Sequence, residues 1–276
     1  MMSIIQVASH LTYQVESPAS FIFTVAVAQN THQTIQQEQL IINPLVPYEG
    51  FMSGEEANRS IRFALQPCTL TLDYTATIEL SHTIHQPPQL DEVAYLNLPT
   101  DALPYLNPSR YCESDRLGRF AYKTFGHLPM GYARVSAICD WVFNHIDYVS
   151  GSTHGSSSAC DVLVQGMGVC RDFAHLSIAL CRALGIPARY VAGYAPELQP
   201  PDFHGFFEAY LGGNWYLFDA TKLAPVGGFV RISAGRDAAD TAFANIVGNV
   251  SLEKMEVSAL SLTQNAPSPN SAVSTA

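Results

Sequence analysis

The sequence predicts an α+β chain: an all-β sandwich, then a mixed core in which a helix lies on an antiparallel sheet. Three observations carry this. The first hundred residues show period-two apolar alternation without a convincing helical pattern. From about residue 119 apolar positions recur at helical spacing. Two aromatic-rich runs then flank Gly212-Gly213-Asn214, which is turn chemistry.

In chain order, "TLTLDYTATIEL" sets Leu70, Leu72, Tyr74, Ala76, Ile78 and Leu80 on one face of a half-buried strand. "FIFTVAVA", "EQLIINP" and "SIRFALQP" are shorter strands with polar or proline breaks. Residues 1–100 are therefore read as the sandwich, and His32, His82 and His85 as surface groups. Residues 101–118, rich in Pro, Asn and Asp, read as a linker packing on both parts. In "ARVSAICDWVFNHI", Val135, Ile138, Val142 and Ile146 mark a helix, and "YVSGSTHGSSSAC" a loop. A helix from Cys170 ends at Leu184-Gly185 before Ile186-Pro187. The strand "PARYVAGYA" and the hairpin "HGFFEAYLGGNWYLFDAT" complete a core read as residues 119–250. Residues 251–276 are read as a strand continuing "VSLEKMEVSAL", then a disordered tail.

Composition narrows the partners. Of 276 residues 47% are apolar, enough for a sizeable core, and the formal charge is -10. An acidic surface repels phosphate backbones, which argues against nucleic acid. No window is long and apolar enough to cross a membrane, and the N-terminus does not read as a signal peptide. Six cysteines without C-x-x-C spacing read as reduced thiols, so the expected location is cytoplasmic, with no structural zinc.

Two of the cysteines lie on one helix. At 100° per residue, Phe173, Ser177, Leu180, Cys181 and Leu184 fall within roughly 80° of Cys170, a buried face. Arg171, Asp172, His175 and Arg182 fall opposite, on a polar side. Cys181 is a structural thiol. Cys170 begins the helix, where unpaired N–H groups and the positive dipole end favour an anion, and thiolate is the reactive form. The helix alone leaves nucleophile and structural thiol equally open.

A nucleophilic cysteine needs a base and an orienting group. His175 projects away from Cys170, and His127, His145 and His154 read as surface residues. His204 enters the hairpin and Asp219 leaves it. A hairpin turning at Gly213-Asn214 sets Asp219 opposite Glu208, four residues from His204, so a twist, a bulge or another register must bring them together.

"GVCRDFAHLSIALCRALGIPARYVAGY" and "FHGFFEAYLGGNWYLFDAT" resemble the transglutaminase-like core of bacterial proteins in the papain-like cysteine protease superfamily. "SRYCESD" resembles the segment joining that core to the family's N-terminal β domain, and "GRDAAD" a segment after the core. The resemblance implies a catalytic Cys170, His204 and Asp219, with no cofactor. It also implies thioester chemistry on a peptide or protein amide. Hydrolysis is the favoured outcome; transfer to an amine and a non-catalytic binding module of the same fold are the alternatives. One departure is Gly205-Phe206, where many members carry Ala-Trp after the histidine; Phe206 is expected to keep an aromatic wall there. Gln165 and Trp141 are not assigned to an oxyanion hole. No calcium loop of the D-x-[DN]-x-[DN]-G type is present.

Overall fold

The computed structural model describes residues 3–87, 90–263 and 271–275. Its first part contains β1 (Ser3–Val15), β2 (Ala19–Phe23), β3 (Gln33–Asn43), β4 (Glu49–Ser53), β5 (Asn58–Leu65), β6 (Cys68–Leu80) and β7 (Thr83–His85). The core adds α1 (Ser114–Phe125), α2 (Tyr132–His145), β8 (Asp147–Tyr148), α3 (Ala159–Gln165), β9 (Met167–Gly168) and α4 (Cys170–Ala183). After α4 come β10 (Ala188–Tyr194), β11 (Phe203–Leu211), β12 (Asn214–Phe218) and β13 (Val230–Gly235). Last are β14 (Ala244–Val247), β15 (Val250–Ser261) and β16 (Ala272–Ser274).

The sandwich forms because period-two strands bury alternate side chains between two sheets. One sheet has the order β15-β1-β6-β3 and the other β14-β2-β5-β4, all antiparallel. The six predicted apolar residues of β6 are all buried, with Leu72 across from Leu11 of β1. They meet Phe21, Phe23 and Phe63 of the other sheet in one cluster. His82 departs from the surface reading: it is buried, its Nδ1 meets the Gly227 carbonyl, and burial pushes its pKa down to about 4.

Both sheets of the sandwich recruit a strand from beyond the core. β14 pairs with β2 and β15 with β1, so residues 244–247, read as core, complete the sandwich instead. The linker reading also changes at its end, because α1 already begins at Ser114. Upstream, Tyr105 bridges both parts, its hydroxyl on Glu56 and its ring edge-on to Trp215. The tail differs in part from the disorder expected of it. β16 pairs with β7 and its residues are buried, while 264–270 and Ala276 lie outside the described residues.

The core sheet runs β12-β11-β10-β13. Val135, Ile138, Val142 and Ile146 are buried as predicted, and together with α4 they cover one face of this sheet. Tyr194, Val230 and Ile232 from β10 and β13 belong to the sandwich cluster, so the two parts share packing. α4 stops as expected, with Gly185 at φ +83. Its polar side does not face water, however: Asp172, His175 and Arg182 are all buried. Each has at least one partner that takes the place of water, although His175 Nδ1 has none among the described residues. Arg182, for instance, donates to the carbonyls of Ala188 and Asn107.

Candidate active site

The first turn of α4 is fixed by Asp172. Its carboxylate accepts the Val169 N–H at 3.0 Å and the Thr153 hydroxyl, and it pairs with Arg171 at 2.9 Å. Gly168 allows the approach, since a Cβ there would stand 2.8 Å from Asp172 Cβ. Asp172→Ala strips the turn of this acceptor and leaves buried donors unpaired. It should lower unfolding stability by about 2–3 kcal/mol in a urea titration; an unchanged midpoint would show the turn is held otherwise.

Cys170, half-buried, opens α4 at the floor of a cleft of about 350 Å³. His204 and Gly205 of β11, Tyr190 and Ala192 of β10, and Tyr111 of the linker share its lining. Thr24 and Met255 come from the sandwich side, so the cleft lies where the two parts meet.

The hairpin brings His204 and Asp219 together by its register. The turn is the two-residue Gly212-Gly213, with φ +55 and +90, as a type I′ hairpin requires. Glu208 therefore faces Leu217, rather than Asp219 as expected. One further step sets Asp219 across from Phe206, diagonal to His204 on the same side. His204 Nε2 lies 3.1 Å from Asp219 Oδ2, and Thr221 donates to Oδ1 from its N–H at 2.9 Å and its hydroxyl at 2.7 Å.

Nδ1 is thus the nitrogen left for the Cys170 thiol. Burial works against a charged His204, but hydrogen bonds to Asp219 and Cys170, and the charges of both, outweigh it and raise its pKa to about 10. Phe206 packs edge-on to the imidazole at 4.5 Å, but it is fully buried against Phe229 and is not among the residues that line the cleft.

The other histidines are elsewhere. His127, His145 and His154 are exposed. His175 is buried rather than on a polar side, stacked on Tyr111 at 5.0 Å, and its Nε2 accepts the Ala238 N–H. Burial and then the Arg171 charge push its pKa down to about 3, so it stays neutral. Gln165 ends α3 in solvent, and Trp141 packs against the core through Phe120 and Phe125. Among the described residues no three His, Cys, Asp or Glu are grouped to hold a metal ion, and no helix is long and apolar enough to cross a membrane.

Sequence reasoning missed Tyr148. A two-residue parallel bridge sets it beside Gly168, two residues before Cys170. Burial, then the charge on Cys170, raises its pKa to about 12. No local pattern in "HIDYVSG" marks it, because strand pairing alone brings it there.

Residues 119–220 match the sequence model of the transglutaminase-like superfamily, and residues 3–101 that of the bacterial transglutaminase N-terminal domain. A crystal structure from Cytophaga hutchinsonii, named "Putative Cysteine Protease", is 45% identical with a TM-score of 0.95, over 99% of this chain and 98% of that one. An uncharacterized protein of Mycobacterium leprae is 35% identical over 117 residues, and one of Mycobacterium tuberculosis 45% over 60. The match spans 42% of the length of the M. leprae protein and 39% of this chain.

Proposed function

Because this chain belongs to the transglutaminase-like superfamily, with that family's bacterial N-terminal domain, we propose that it cleaves peptide amides through a thioester on Cys170. The observation that carries the reading is the buried His204–Asp219 hydrogen bond, directed at a cysteine on a helix N-terminus inside a cleft. The name of the Cytophaga hutchinsonii protein agrees with it.

His204 holds the Cys170 proton as an imidazolium, and the thiolate adds to the amide carbonyl. The developing oxyanion takes the Cys170 N–H at the helix start. His204 then protonates the amine as the C–N bond breaks, leaving a thioester. Water, deprotonated by His204, releases the acid and restores the thiol. Asp219 keeps the ring oriented with Nδ1 toward sulfur. Transfer to an amine would differ only in the second acceptor, and incorporation of a dansylated alkylamine into a protein substrate separates the two outcomes.

The test is iodoacetamide alkylation of Cys170 against pH, mapped by mass spectrometry. At pH 6 the wild type should react about two orders of magnitude faster than free cysteine, and His204→Ala should fall to the free-cysteine rate. A wild-type rate equal to free cysteine would remove the Cys–His pair and leave a binding module of the same fold.

A further inference from the structure

Tyr190 is only 6% exposed, and its ring packs against His175 at 5.2 Å. Its hydroxyl lies beneath residue 205, where a Cβ would stand 2.3 Å from it. The register Ala192↔Gly205 makes Tyr190 and residue 205 diagonal neighbours on one face of the sheet. Glycine is thus required for space at 205, at one of the two positions that depart from the Ala-Trp of many members.

The hydroxyl has no hydrogen-bond partner among the described residues. Tyr74, Tyr194 and Tyr216 do: Tyr74 meets the Val27 N–H and Glu38, Tyr194 meets Ser9 and the Val25 carbonyl, and Tyr216 meets His85. Tyr13, buried in the sandwich, is likewise unpaired among the described residues but does not line this cleft. Bordering the cleft without a protein partner, the Tyr190 hydroxyl is placed to donate to an acceptor that enters there. Tyr190 lines the same cleft as Cys170 and His204, whose other walls include Phe203, Ile232, Phe243 and Met255. Asp219 and Thr221 do not line it, so this is the space in front of the thiol. Burial, then the charge of Cys170, holds the phenol well above its ordinary value, which keeps it a donor.

We propose that Tyr190 is a substrate-binding residue, donating a hydrogen bond to a carbonyl oxygen of the peptidyl group that Cys170 takes up, in a slot that glycine at 205 keeps open. The side chain of that peptidyl group is apolar and rests on Phe203, Ile232, Phe243 and Met255. This rests on the thioester reading above.

The test uses two kinds of alkylating probe on the full chain. Iodoacetamide reads the thiol alone. N-acetyl-dipeptidyl chloromethyl ketones ending in alanine, leucine or phenylalanine also read the slot. In Tyr190→Phe the ratio of peptidyl to iodoacetamide rate constants should fall about tenfold, through weaker saturation rather than slower alkylation. Gly205→Ala should lose at least as much alone, yet cost less in the Tyr190→Phe background, where the hydroxyl is gone and only ring carbons at 3.0 and 3.2 Å crowd the new Cβ. An unchanged ratio in Tyr190→Phe, or a wild type that reacts with iodoacetamide at pH 6 but saturates with no peptidyl probe, overturns this inference alone. A wild type unreactive at pH 6 overturns the thioester reading beneath it.

Discussion

Asp219→Asn should bring the titration of His204 down from about 10 toward or below the ordinary imidazole value of 6.5. Burial alone favours the neutral ring, and the hydrogen bond that the ring donates to Asp219 is foremost among the effects that oppose it. An amide keeps the shape but removes the charge, and it can orient the ring with the wrong nitrogen toward sulfur. Long-range proton–nitrogen NMR of the labelled protein follows the ring directly; a midpoint that stays near 10 would mean Asp219 does not hold the proton. Acylation by an identified substrate should fall on the order of a thousandfold or more, as for a triad that loses its orienting carboxylate. Stability changes with a defined sign. The folded value lies above the unfolded one, so protonated His204 stabilises the fold fully below about 6.5, and this contribution is lost as pH rises through about 10. The gap in urea midpoint between wild type and Asp219→Asn should therefore close between pH 6.5 and 10.

Glu208→Ala should have the largest effect on folding of any single substitution in the core sheet. Glu208 is 0% exposed, with Arg189 Nε at 2.7 Å, Arg231 against its other oxygen, and the Thr275 hydroxyl at 2.9 Å. Arg189 continues to Glu56 of the sandwich and stacks on Trp215. Burial opposes the Glu208 charge, but Arg231 and Arg189 outweigh it and hold its pKa below the usual carboxylate range. Alanine leaves two guanidiniums in a dry site without their shared anion. Removing one member of such a group costs about 3–5 kcal/mol, enough to unfold much of a marginally stable chain at room temperature. Glu208→Gln, which keeps the shape, should lose less. Equal urea midpoints for wild type and Glu208→Ala would show that the arginines find other anions.

What could be read from the residues was what depends on period and punctuation. β6 alternates without interruption, α4 carries a Gly stop, and the aromatic hairpin surrounds its glycines. β1 is as long as β6 but escaped notice as a strand, because Ser3 and Ser9 occupy inward positions where an apolar residue would have completed the pattern. The hairpin register turned on which pair of residues holds φ > 0, and Gly213-Asn214 looked as suitable as Gly212-Gly213. The polar stripe of α4 misled because its charges are satisfied by segments far away in sequence, such as Asn107 and Arg236. Residues brought to the site by pairing alone, such as Tyr148 and Tyr190, carry no local mark of their position.

The return of the last strands to the sandwich has a consequence for synthesis. A chain emerging from the ribosome exposes β1 and β6 early, yet the strand that covers the free edge of β1 is not made until residues 250–261. Until then a 13-residue row of backbone donors and acceptors stays open while the whole core is translated. The sandwich, first in sequence, thus closes only after the body inserted within it has been made.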